Sequence, residues 1–129
     1  MTNESKPHAA HEIQAEFCRN DFHYFVKKAW KIVEPGTIFM DNWHIGIICE
    51  YLQAVTAGEI QNLIINIPPR HMKSLLVTVF WPTWTWTHTP QMRWLTGSYS
   101  DLLAVHDALK TGGLSRANGI RRCLGRCFN

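Results

Sequence analysis

The chain has 129 residues, 46% of them hydrophobic. That is enough for one globular domain or part of one, with a modest core. The net charge of +3 comes entirely from the tail: residues 1–110 carry nine Lys/Arg and ten Asp/Glu, residues 111–129 four Arg and no acid. A nucleic-acid-binding face spread over the domain is therefore not what the basic balance implies.

No uninterrupted apolar run approaches the roughly 18 residues needed to cross a membrane. The start, M-T-N-E-S-K-P, is polar and is not a signal peptide. A soluble, cytoplasmic protein whose four cysteines (Cys18, Cys49, Cys123, Cys127) stay reduced is expected.

Met1 to Pro7 reads as a disordered start, and the first unit is taken as residues 1–11. From His8 to Val33 the pattern is helical, with Ile13, Phe17, Tyr24, Val26 and Trp30 as apolar positions and Lys27, Lys28 and Lys31 toward solvent. Pro35-Gly36 stops it. Asp41 or Asn42 caps a second helix whose inner positions are Ile45, Ile48, Cys49 and Leu52, and Gly58 closes it.

Asn62 to Ile67 is apolar and β-branched, as in a strand covered on both faces. The loop Pro68–Met72 follows, and Lys73 opens a third helix through Leu76, Val77 and Phe80 that Pro82 must kink or end. Arg93 to Thr96 reads as a second strand. Gly97 to Ser100 is a turn, and Asp101 to Lys110 a fourth helix with Leu102, Leu103, Val105 and Leu109 on its apolar side. This order predicts an α/β fold with a parallel sheet and right-handed crossovers.

The chemistry concentrates in L-I-I-N-I-P-P-R-H-M-K-S-L, residues 63–75. A strand, a polar loop, Lys-Ser and a helix start is the order of a phosphate-binding loop. Backbone N–H groups and a helix N-terminus converge there on a dense anion. Both glycines of G-x-x-x-x-G-K-[ST] are missing, with Ile67 and Met72 in their places. In this reading Lys73 reaches the β- and γ-phosphates, the Ser74 hydroxyl binds Mg²⁺, and Arg70 faces the γ-phosphate or a neighbouring subunit. The loop alone leaves a surface turn with an incidental Lys-Ser pair equally open.

Two blocks add to it. Residues 42–86, N-W-H-I-G-I-I-C-E-Y-L-Q-A-V-T-A-G-E-I-Q-N-L-I-I-N-I-P-P-R-H-M-K-S-L-L-V-T-V-F-W-P-T-W-T-W, resemble the ATPase region of tailed-phage terminase large subunits. So do residues 93–104, R-W-L-T-G-S-Y-S-D-L-L-A. In that family the loop is commonly P-P-R-H-G-K-S; here Met72 stands at its glycine. The resemblance covers roughly residues 12–110 and implies a partial P-loop NTPase, a three-layer α/β/α fold with a parallel sheet, preceded by two helices.

By position it implies that Pro69, Arg70, His71, Met72, Lys73 and Ser74 hold ATP and Mg²⁺. Trp43 and His44 fall where the family contacts adenine; packing and surface roles are the alternative. Ser98, Tyr99 and Ser100 fall where hydrolysis is coupled to DNA movement, with a plain turn and helix cap as the alternative. The implied partners are double-stranded phage DNA, a small terminase subunit, a portal protein and further copies in a ring, in the cytoplasm of a bacterial host.

Three other patterns have plainer readings. His8-Ala-Ala-His11-Glu12 has metal-like spacing but is expected to be solvent-exposed. Lys27, Lys28 and Lys31 are expected to line a solvated face rather than DNA. Trp81, Trp84, Trp86 and Trp94 are expected to pack between elements.

The family's Walker B acids, coupling motif and nuclease domain have no counterpart here, and no acid follows Asp107. Phosphate binding without hydrolysis is thus the expectation for this chain. Residues 111–129 depart from the family's pattern. Read in the frame joining the third base of each codon to the next two, they can give R-L-V-K-S-E-W-Y-Q-A-L-F-G, beginning within Gly112-Gly113. A frameshift near Lys110 to Gly112 is one account of this tail and a genuine basic tail the other. On the frameshift account the Cys123-x-x-x-Cys127 pair is no zinc site. The DNA beyond codon 110 decides between them.

Three readings follow: an ATP-binding N-terminal part of a terminase, a non-functional prophage remnant, or an unrelated nucleotide- or nucleic-acid-binding α/β module. A sheet of two parallel strands would keep apolar edges, so aggregation or a molten state is expected of the chain alone.

Overall fold

The computed structural model describes residues 6–117, and among them every regular element is helical. The helices are α1 (Lys6–Asn20), α2 (Phe22–Val33), α3 (Trp43–Thr56), α4 (Trp81–Thr85) and α5 (Asp101–Arg116). A π-helical segment, Leu75–Phe80, runs directly into α4.

α2 is the hub. Its buried residues Phe22, Phe25, Val26, Ala29 and Trp30 follow the i, i+3, i+4, i+7, i+8 spacing of one helical face. α1, α3, α4, α5 and the π-helical segment all pack against it. α3 answers with Ile45, Ile48, Cys49 and Leu52, the four inner positions expected. Leu76, Val79 and Phe80 complete the core with Trp84 and Leu114. The helical stretch expected from His8 to Val33 is two helices, because Asp21 has extended backbone and its carboxylate accepts the Tyr24 N–H, as an N-cap does. Ile13 and Phe17 lie before this break and are more than half exposed.

The parallel sheet, and with it the three-layer P-loop fold, is not present. Residues 62–67 and 92–98 form no regular element, and among the described residues no strand forms. The reason is pairing. An extended segment becomes a strand only when a neighbour takes its backbone N–H and C=O groups, and two lone strands are marginal in water. In the first segment Leu63, Ile65 and Ile67 rest on the helical core while Ile64 is 85% exposed. The period of two is real, but helices cover one side and, among the described residues, nothing covers the other. In the second segment Leu95 is 99% exposed.

Two further expectations change. Pro82 does not end its helix: Trp81–Thr85 continues it, with the proline in the first turn. The Thr/Trp run is helical because its buried hydroxyls bond back to the helix. Thr83 Oγ1 donates to Val79 O at 2.8 Å, Thr85 Oγ1 to Pro82 O at 2.8 Å and Thr87 Oγ1 to Trp84 O at 2.6 Å. α5 reaches Arg116, and the positions expected inside, Leu102, Leu103, Val105 and Leu109, are 83%, 42%, 58% and 70% exposed. α5 instead turns Asp107, Lys110, Thr111 and Leu114 inward. Lys110 pairs with Glu34 at the end of α2.

Cys18 and Cys49 are buried and not disulfide-bonded. Burial pushes the Cys49 thiol up to about 12, so it stays protonated and inert. Cys123, Cys127 and the shifted-frame pattern beyond Ala117 lie outside the described residues.

Candidate functional site

The loop 68–74 leaves the segment 62–67 at the surface and enters a helix at Lys73. Pro69, Arg70, His71, Lys73 and Ser74 are exposed; Met72 is half-buried against the core. Arg70 has φ 67° and Met72 φ 62°; these are the non-glycine residues with left-handed backbone among those described. Left-handed backbone beside right-handed backbone is the element from which anion nests are built. The first inward bond of the helix is Leu76 N–H to Met72 O at 2.9 Å. The N–H groups of Lys73, Ser74 and Leu75 ahead of it have no intrahelical partner.

Met72 stands where the resembled loop has glycine, and its φ explains what glycine is for there. A side chain in this conformation costs about 1–2 kcal/mol, offset here by the apolar contact of the thioether chain. Met72→Ala loses that contact and keeps the strain; Met72→Gly loses the contact and relieves the strain. The glycine variant is therefore expected to be the more stable of the two by about 1 kcal/mol, read as the difference in urea midpoints. The reverse order holds at an ordinary surface position.

His71 is fixed by its own loop. Its Nδ1 lies 2.9 Å from Pro69 O and 3.1 Å from Pro68 O. Carbonyls only accept, so Nδ1 is the donor, and a neutral ring leaves Nε2 as an acceptor. The ring meets His44 edge-on, centroids 5.4 Å apart. His44 in turn meets Trp43 edge-on at 6.1 Å. The fold thus brings the N-terminus of α3 to the loop, and Trp43, His44 and His71 form one row.

Two members of that row are uncommitted. Trp43 is 80% exposed, whereas the other five tryptophans donate their indole N–H internally. His44 Nε2 is buried without a hydrogen-bond partner. Ser98, Tyr99 and Ser100 are not part of this group. Tyr99 is 95% exposed, Ser100 N–H donates to Ser98 Oγ at 3.4 Å, and no hydrogen bond or ring contact joins them to the loop.

The charge pattern leaves the loop cationic. Neither Arg70 nor Lys73 has a carboxylate partner among the described residues, while Lys27 is paired with Asp41 at 2.6 Å. His23 Nε2 holds the other Asp41 oxygen at 2.8 Å. These bonds tie α2 to the chain just ahead of Trp43. The Lys27 hydrogen bond lowers the Asp41 carboxyl most; partial burial opposes it, and His23 lowers it further.

A folded value below the unfolded one means stability that is present above the ordinary value of 3.8 and lost as the pH falls through the lowered one. Asp41→Asn is expected to be less stable than the parent near neutrality and to converge with it in acid. Urea midpoints at stepped pH measure this. A gap that does not narrow in acid assigns the loss to something other than the charge.

Lys28 sits over the Tyr24 ring at 5.4 Å, and Lys31 is exposed. His11 and Glu12 are exposed on α1, and among the described residues no group of three or more His, Cys, Asp or Glu could hold a metal ion.

Sequence reasoning missed the bracing of the helix behind the loop. Thr78 Oγ1 donates toward both Ser74 O and Asp107 Oδ2, the latter at 3.2 Å, and Thr111 Oγ1 reaches Thr78 O at 3.3 Å. One signal was present: Pro82 lies four residues after Thr78, so the Thr78 carbonyl needs a donor from elsewhere.

In comparisons with known proteins, no family model, curated protein or solved structure matches this chain.

Proposed function

We propose that this chain binds ATP-Mg²⁺ through the loop 69–74 as an N-terminal part of a phage terminase large subunit. The carrying observation is the left-handed backbone of Met72 at the glycine position of the resembled loop, ahead of Lys73 and Ser74 at a helix start. Lys73 supplies the charge for the β- and γ-phosphates, Ser74 the hydroxyl for Mg²⁺, and Arg70 a second cation at the γ-phosphate. Trp43 offers a free face for the base, and His44 an imidazole nitrogen not spent on the fold.

Hydrolysis is not part of the proposal. Residues 108–129 contain no Asp or Glu, so no residue of that stretch is assigned as the family's water-activating acid. Double-stranded DNA, a small terminase subunit, a portal protein and a ring of copies are the partners the resemblance proposes, in the cytoplasm of a bacterial host. Among the described residues no helix is long and apolar enough to cross a membrane.

A second reading, a prophage remnant without activity, is favoured by the unpaired segments 62–67 and 92–98 and the exposed leucines of α5. Titration calorimetry with ATP-Mg²⁺ on the parent and Lys73→Ala chains separates the two. Lys73-dependent binding supports the first; no binding, or binding indifferent to Lys73, supports the remnant.

A further inference from the structure

We propose that Thr111 and Asp107 of α5 are positioning residues for the phosphate loop, because they stabilise the π-helical turn that sets where Lys73 and Ser74 stand. The proposal rests on the phosphate-binding reading for its effect on ligand, and on geometry alone for the turn itself.

π-helical turns are rare and intrinsically weak, so one that persists needs a cause. The cause here is Pro82. In an α-helix its ring would press on the Thr78 carbonyl, and its missing N–H would leave that carbonyl without a donor. Widening the helix relieves the clash: Trp81 N–H bonds to Leu76 O, five residues back rather than four. The widened turn then needs donors from outside, and α5 supplies one. Thr111 has one hydroxyl proton and two carbonyls in reach, Thr78 O at 3.3 Å and Asp107 O at 2.9 Å on its own helix, so its donation to Thr78 O alternates with the bond within α5.

Asp107 acts on the same residue from the other side. Thr78 has one hydroxyl proton and two acceptors in reach, Ser74 O and Asp107 Oδ2. The proton serves one at a time. Asp107 thereby competes for the bond from Thr78 back to Ser74, and α5 meets the wide turn at both the hydroxyl and the carbonyl of Thr78.

The consequence for the loop is geometric. Leu76, Val79 and Phe80 are fully buried and anchor the turn in the core. Closing the π turn to α changes the register by one residue, about 100° of rotation and 1.5 Å of rise. With the core end held, the loop end must take up that change. Lys73 and Ser74 would then shift relative to the left-handed residues Arg70 and Met72.

The test uses the full chain, with ATP-Mg²⁺ calorimetry and NMR scalar couplings across backbone hydrogen bonds over residues 72–86. The parent is expected to show the five-residue coupling from Trp81 N–H to Leu76 O. Thr111→Val, which keeps the shape and removes the donor, is expected to weaken ATP binding about three- to tenfold, and Asp107→Ala likewise. Thr111→Ser, which keeps the hydroxyl, is expected to match the parent. Pro82→Ala restores the missing N–H and is expected to shift the couplings to four-residue spacing. In that background Thr111→Val should have no further effect on binding.

Unchanged ATP affinity in Thr111→Val, in a parent that binds through Lys73, overturns the positioning role. Five-residue couplings that survive in Pro82→Ala/Thr111→Val overturn the account of the turn. A parent that binds no ATP removes the function reading instead, and the couplings then decide the register claim alone. If Thr111→Val does not fold, equal affinity of Asp107→Ala and the parent overturns the proposal.

Discussion

Phe22→Ala is expected to remove about 3–5 kcal/mol of folding free energy, the usual cost of truncating a buried phenylalanine. Phe22 is fully buried at the first position of α2. Its ring lies 5.1 Å from Trp84 and 6.4 Å from Phe25, so it joins the hub helix to α4. Its backbone N–H donates to Gln53 Oε1 at 3.4 Å, which reaches α3 as well. The cavity would open where three helices meet, and rigid neighbours on each side limit collapse.

Small domains hold about 5–15 kcal/mol in total, and this one leaves much apolar surface uncovered, so the loss is a large share. Urea denaturation followed by tryptophan fluorescence measures it. A loss below about 1 kcal/mol would mean that the chain lacks a tightly packed core. It would then be a molten state.

Lys73→Ala carries the largest expected effect on ligand. A hydrogen bond to a charged group contributes about 1.5–3 kcal/mol, which is about 10- to 150-fold in affinity. Lys73 is exposed and has no acid partner among the described residues, so its removal is expected to leave the folded chain intact and the change in ATP affinity to read the contact itself. Met72→Gly in the same titration is expected to bind at least as well as the parent, since the loop then holds its left-handed turn without strain. Arg70→Ala is expected to act more weakly on ADP than on ATP, because the proposed function puts Arg70 at the γ-phosphate.

Much of the chain's local structure was legible because it rests on local rules. The inner face of α3 at Ile45, Ile48, Cys49 and Leu52 follows from helical spacing. Its ends follow from Asn42, which sits at the N-cap position in extended backbone, and from Gly58, which has φ 83°. The helix start at Lys73 and the cap at Ser100 are of the same kind. The strain at Met72 was legible from the resemblance alone, since a glycine position announces a backbone that other residues resist.

The failures share a cause too. The run at residues 62–67 has the composition of a buried strand, but composition speaks of side chains and a strand is made by pairing. With no neighbour supplying backbone partners, Leu63, Ile65 and Ile67 turned to the helices instead. α5 fails in the opposite sense. Leu102, Val105 and Leu109 have inner-face spacing, yet α5 presents Asp107, Thr111 and Leu114, because Glu34 draws Lys110 inward and Thr78 engages both Asp107 and Thr111. A periodic pattern names a face and not the neighbour that will cover it.

The sequence by itself determined the two ends of α3, the helix start at Lys73, the cap at Ser100, and the inward positions of α3 together with Val26 and Trp30 of α2. Those depend on backbone geometry and spacing within a turn or two. Only the tertiary structure decided that the segments 62–67 and 92–98 stay unpaired, that Trp43 and His44 stand beside His71, and that α5 braces the turn behind the loop. Each of these joins residues far apart in the chain, where the outcome is a competition among partners that no local pattern records.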